Sequence, residues 1–140
     1  MKKTDHVFVI DTNTLISAFI LPDSVSGKAV NKAIKIGHIV FSRSTNREFA
    51  DVFIRSKFDK YLPLEVRVQI INNLKSLVIF VQPRVEITAS RDKKDNQFLE
   101  LAVAAKASCI ISGDKDLLVL HPFQGIPIIN ASDFFAYQFT

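Results

Sequence analysis

Four short apolar runs alternate along this chain with longer stretches of helical periodicity. The runs are Val7-Phe8-Val9-Ile10, His38-Ile39-Val40-Phe41-Ser42, Val78-Ile79-Phe80-Val81 and Cys109-Ile110-Ile111-Ser112. They are rich in β-branched and aromatic residues and lack a polar alternation, which is how strands covered on both faces read. Between them, Ala29, Val30, Ala33 and Ile34, then Phe49, Val52 and Phe53, then Val66, Ile70, Leu74 and Leu77, then Phe98, Leu99, Ala102 and Val103 recur at helical spacing. Strands alternating with helices predict a doubly wound α/β sandwich with a mainly parallel central sheet.

The punctuation agrees. A helix from Thr14 towards Ile20 stops at Leu21-Pro22, and 23–27 reads as a loop. The next helix, Lys28 to Ile36, ends at Gly37. Thr45-Asn46-Arg47-Glu48 fits a capping box that starts a helix, and Pro63 opens another as its first residue. Val85 to Thr88 is extended, and the charged loop Arg91 to Asp95 leads into a helix from Asn96 to Lys106. Ile126 to Ile129 is a weak edge strand, because Pro127 removes a ladder donor, and Ser132-Asp133 caps a short last helix. With 140 residues and no repeat, linker or low-complexity tract, residues 1–140 read as one domain.

Composition excludes several classes. Apolar residues are 48% of the chain, twelve of them Phe, so it has the means to build a core. Lys2, Lys3, Asp5 and His6 precede an apolar run too short for a signal peptide, and no run approaches the roughly 20 residues that cross a bilayer. The single cysteine, Cys109, can form no intrachain disulfide, which fits a reducing, cytoplasmic setting without a membrane. His6, His38 and His121 show no zinc-ligand spacing, and four glycines form no phosphate loop.

The chemistry lies in the acids. Asp11 directly follows the first run, at a strand's carboxyl end, where ligands sit in open α/β sheets. Glu48, Asp95 and Asp114 stand at other predicted strand ends or helix starts, with Asp92 and Asp116 close by. If those ends share one sheet edge, the carboxylates repel until a hard divalent cation, Mg²⁺ or Mn²⁺, relieves them. Such an ion activates water against a phosphodiester. Each acid also has a plainer use: Glu48 as partner of Thr45 in the capping box, Asp11, Asp95 and Asp116 as caps, Asp92 in a solvated charge run, Asp114 in a turn after Gly113. Asp95 is favoured over Asp92 as a ligand because it sits at the helix start. Asn13 and Ser112 are candidates to orient carboxylates or water. The net charge is +4, so a site that gathers several acids leaves the remaining surface strongly basic. Arg43, Arg47, Arg91, Lys93, Lys94 and Lys115 flank the acids and can hold phosphates, although solvated surface charge is the simpler reading of each.

These blocks resemble the PIN-domain family: Asp11-Thr12-Asn13-Thr14-Leu15-Ile16-Ser17-Ala18, Ser44 to Glu48, Arg91-Asp92 to Asp95 with Phe98-Leu99-Glu100-Leu101-Ala102, and Ile111-Ser112-Gly113-Asp114-Lys115-Asp116-Leu117-Leu118. The similarity runs on to Phe123-Gln124-Gly125 and Asp133-Phe134-Phe135. The branch most resembled is the VapC-like toxin of type II toxin–antitoxin pairs. The resemblance implies a three-layer α/β/α fold and a metal-dependent ribonuclease whose acidic cluster binds Mg²⁺ or Mn²⁺. By position, Asp11, Glu48, Asp95 and Asp114 match the family's acids, and Asp116 a supplementary one; Ser112 stands where the family usually has Thr. It also implies a homodimer and a cognate antitoxin whose peptide blocks the acidic groove.

The expected function is therefore endoribonuclease activity on an RNA substrate by a metal-activated water. Asp11, Asp95, Asp114 and Asp116 would hold the metal, and Glu48 would bind it or orient the water. Arg43, Arg47, Arg91, Lys94 and Lys115 would bind RNA. Two rivals stay open: a phosphatase with Asp11 as nucleophile, and a receiver-like or PIN-type metal-binding module that acts through a partner without turnover.

Overall fold

The computed structural model describes residues 5–139, so Lys2 and Lys3 lie outside it. In chain order the elements are β1 (Val7–Ile10), α1 (Thr12–Ile20), α2 (Val25–Ile36), β2 (His38–Phe41), α3 (Arg43–Phe53), a 3₁₀ turn (Ser56–Phe58), α4 (Leu64–Leu77) and β3 (Ile79–Phe80). A second 3₁₀ turn (Lys93–Asp95), α5 (Asn96–Ala105), β4 (Cys109–Ile111), α6 (Lys115–Leu118), β5 (Ile128–Ile129) and α7 (Ala131–Ala136) complete it.

All strand pairings are parallel, in the order β3-β2-β1-β4-β5. The uniform apolarity of the β1, β2 and β4 runs follows from burial on both faces. Phe8, Ile10, Ile39, Phe41, Cys109 and Ile111 enter one core with residues of α1, α2, α3, α4 and α7. Their alternates Val9, Val40, Ile110 and Ile128 enter a second core with Phe98, Leu99, Leu101 and Ala102 of α5 and Leu117 of α6. The two-residue period of a strand thus sorts one apolar run into two cores, giving the three-layer α/β/α sandwich the sequence predicts.

Boundaries moved where capping chemistry was misread. α2 starts at Val25, inside the predicted loop, because Ser24 accepts from the Gly27 amide at 3.1 Å. α3 starts nearly a turn early: Ser42 Oγ accepts from the Thr45 amide at 3.2 Å and Thr45 Oγ1 accepts from the Ser42 amide at 3.0 Å. The box is Ser42/Thr45, not Thr45/Glu48, and Glu48 is left in the second turn with no capping duty. Pro63 is the N-cap of α4 rather than its first residue, and Asn130, not Ser132 or Asp133, caps α7. The buried stripe of α4 is Arg67, Ile71 and Leu74, so the predicted Val66 and Leu77 are exposed. β3 is an edge strand of two half-exposed residues, and β5 is shorter than predicted.

Candidate active site

In an order that runs outward from β1 both ways, the switch point lies between β1 and β4. Asp11 ends β1, its amide donating to Ile111 O at 3.0 Å, so it is stitched to the end of β4. Its Oδ1 accepts from the Thr14 amide at 2.9 Å, and its Oδ2 accepts from the Ser112 hydroxyl. Asp11 therefore is a helix cap, as the plainer reading had it, but one whose second oxygen faces the neighbouring strand end. Ser112 Oγ in turn accepts from the Asp114 amide at 3.0 Å. One buried hydroxyl thus ties the acids of two strands together, while Asn13 is exposed on the first turn of α1.

Asp95 comes from the third direction. It occupies the N-cap position of α5 without making a side-chain cap, and it is only 7% exposed. Its Oδ2 is buried with no hydrogen-bond partner. Burial, then a hydrogen bond with the Asp114 carboxyl, then the charges of Asp114, Asp92 and Asp11 push its pKa from the ordinary 3.8 to about 7. Asp11, Asp92 and Asp114 therefore all act on one buried carboxyl. Asp92 caps the 3₁₀ turn, accepting from the Lys94 amide at 3.0 Å. The Asp95 amide donates to Asp92 O at 3.0 Å, which closes the turn and keeps the two acids together. Asp92, Asp95 and Asp116 each offer an oxygen, all within 4.8 Å of one another. Asp114 rather than Asp116 caps α6, accepting from the Asp116 amide at 2.8 Å, which leaves Asp116 free to face the cluster.

Asp92, set aside in favour of Asp95 at the sequence level, stands with it. The signal was its spacing of three from Asp95, legible only once that segment is known to be a 3₁₀ turn. Glu48 is held elsewhere on the rim, its carboxylate accepting from the Gln97 side-chain amide of α5. Arg47 and Lys94 share its hollow. Arg43, Arg91 and Lys115 are exposed, and none of these five cations forms an ion pair among the described residues.

The donor set suits a hard cation. It is all carboxylate oxygen, and one buried oxygen has no donor of its own. Two oxygens on one Mg²⁺ lie at most about 4 Å apart, so oxygens within 4.8 Å need only a small closure or a bridging water.

A family profile described as PIN domain matches residues 7–116, from the first residue of β1 to Asp116. The chain belongs to the PIN-domain family. PIN domains are in general nucleases that usually bind divalent metal ions. Uncharacterized protein MJ1680 of Methanocaldococcus jannaschii is 34% identical to this PIN domain over 122 residues, 86% of this chain and 78% of that one. PAE2754 from Pyrobaculum aerophilum superposes with a TM-score of 0.61 at 11% identity, covering 94% of this chain and 88% of that one. VapBC2 from Rickettsia felis, solved bound to a DNA fragment from its promoter, superposes with a TM-score of 0.59 at 12% identity, covering 89% of this PIN domain and 98% of that chain. At such identities the two structures share its fold. Among the described residues, no helix is long and apolar enough to cross a membrane.

Proposed function

We propose that residues 1–140 form one PIN-type domain acting in the cytoplasm as a metal-dependent endoribonuclease, the toxin of a toxin–antitoxin pair. The observation that carries this reading is the Asp95 carboxyl, buried, unpartnered at Oδ2 and ringed by Asp11, Asp92 and Asp114. Leaving such a group without a cation costs several kcal/mol in general, so a fold that retains it has a use for it.

Asp11, Asp95, Asp114 and Asp116, with Asp92 added, would hold the ion. Mg²⁺ or Mn²⁺ bound there supplies charge neutralisation at the phosphodiester and a more acidic water. The Ser112 hydroxyl fixes the rotamer of Asp11 by donating to it and the turn of Asp114 by accepting from the Asp114 amide. Glu48, which accepts from the Gln97 side chain, would bind the ion or orient the attacking water. Arg43, Arg47, Arg91, Lys94 and Lys115 would hold phosphates beside the scissile bond. The antitoxin partner is supported by the likeness to VapBC2, and the homodimer by the sequence resemblance alone. Against a phosphatase with Asp11 as nucleophile, both Asp11 oxygens already accept hydrogen bonds, and no second acid stands at Asn13.

Asp11→Asn is the deciding variant. Asn caps helices as well as Asp, so the Thr14 contact and the fold survive, while the anionic ligand is lost. Magnesium-dependent cleavage of cellular RNA should fall at least ~100-fold, the upper range for losing a supporting residue of a metal site. Cleavage undiminished in that variant, with circular dichroism unchanged, would remove the nuclease reading.

A further inference from the structure

On the Glu48 side of the site, Arg47, Glu48 and Asp51 lie on one face of α3, and Arg55, in extended backbone just beyond its end, joins them. With Lys94 of the second 3₁₀ turn and Gln97 of α5 they wall a cavity of about 380 Å³. This is the small end of the roughly 300–1,000 Å³ span of ligand pockets, room for one nucleotide but not a base pair. α3 begins at the end of β2, on the sheet edge that carries Asp11 and Asp114, so the hollow leads outward from the acids.

Arg55 was singled out by no motif. Its carbonyl accepts from the buried guanidinium of Arg67 at 3.0 Å and its amide donates to Val52 O at 3.1 Å. The backbone under it is therefore fixed, while its own side chain is exposed and forms no ion pair among the described residues. Two acids, Glu48 and Asp51, face three cations, Arg47, Arg55 and Lys94, and Glu48 is already engaged by Gln97. No aromatic ring lines the cavity, which leaves phosphate contact rather than base stacking as its means of holding a ligand.

We propose that this cavity receives the nucleotide flanking the scissile bond of single-stranded RNA, with Arg55 gripping its phosphate. The proposal rests on the nuclease reading for its substrate class. It is tested by fluorescence anisotropy with a labelled oligouridylate across a salt series, and by steady-state cleavage of the same oligonucleotide. Arg55→Gln should weaken binding and raise KM several-fold, and lower the salt slope of log K by about 0.7, one phosphate's share on a single strand. Arg55→Lys should restore the slope. Lys35→Gln, on exposed α2, should change neither. In the Asp11→Asn background the dependence of binding on Arg55 should persist. If wild-type protein binds the oligonucleotide through Arg55 but never cleaves it, the nuclease reading falls and the subsite stands. Equal slopes for wild type and Arg55→Gln, an equal loss in Lys35→Gln, or no binding by wild type overturns the subsite.

Discussion

Asp95 shows what one side chain can reveal. It has the sequence position of a helix cap and does not cap, because Asp92 and the 3₁₀ turn before it already start the helix. Its raised pKa of about 7 has a definite sign for stability. Between pH ~4 and ~7 the native state keeps a proton that the unfolded chain, near its ordinary 3.8, has lost, so metal-free stability falls as pH rises through that window and levels off above it. Urea midpoints in EDTA should show this decline. Asp95→Asn should flatten it and be the more stable protein at pH 8, by about 1–3 kcal/mol, the cost of an unsatisfied buried group. A wild-type midpoint that rises from pH 4 to 7 would contradict the crowding of these acids. Glu48 is the contrasting residue. Thr45-x-x-Glu48 satisfies the local rule for a box and Ser42-x-x-Thr45 does not, yet the helix starts directly after β2 and the Thr45 hydroxyl takes the part of the Glu or Gln.

Among the elements, α4 departs most from its sequence pattern, and Arg67 is the reason. Leu74 and Ile70 pack on the core as their spacing predicts, but the buried face turns to take in Arg67 and Ile71 and leaves Val66 and Leu77 exposed. Arg67 is fully buried among carbonyls that need donors, at the end of α3 and on either side of the 3₁₀ turn. Its Nε donates to Leu62 O at 3.0 Å, its guanidinium to Phe53 O at 2.7 Å and Arg55 O at 3.0 Å, and it pairs with Asp59. Arg67→Leu strips these carbonyls of their donors and leaves Asp59 unpaired. It should destabilise by about 1–3 kcal/mol in urea denaturation, the cost of leaving buried carbonyls without donors, since Asp59 itself stays exposed to solvent. A loss below about 1 kcal/mol would show that water serves these carbonyls equally well. Lys32 is a second case of a cation used as a cap from afar: its ammonium donates to Phe134 O at 2.9 Å and Phe135 O at 3.1 Å, holding the end of α7 against α2. Neither bond leaves a trace in local periodicity, because its partners lie on other elements.

At the scale of the molecule, strand order makes the site. Placing β1 between β2 and β4 sets Asp11 beside Ser112 and Asp114 at the switch point, and α5 delivers Asp95 from across the sheet. If these acids share one ion, Mg²⁺ should stabilise the whole fold by mass action, about 2.7 kcal/mol at a hundredfold excess over Kd. The thermal midpoint of wild-type protein should rise with Mg²⁺, and those of Asp11→Asn and Asp95→Asn should rise little. Equal rises in all three would place the ion elsewhere.

The sequence by itself determined the α/β class, the three inner strands and the acids that follow β1 and β4, because burial on both faces and strand-end chemistry write themselves into consecutive residues. Only the tertiary structure decided that Asp92 joins Asp95, that Glu48 is released from capping to meet Gln97, and that Arg67 turns inward. Those outcomes depend on donors and acceptors that chain order separates and packing brings within a few ångströms, and no local pattern encodes them.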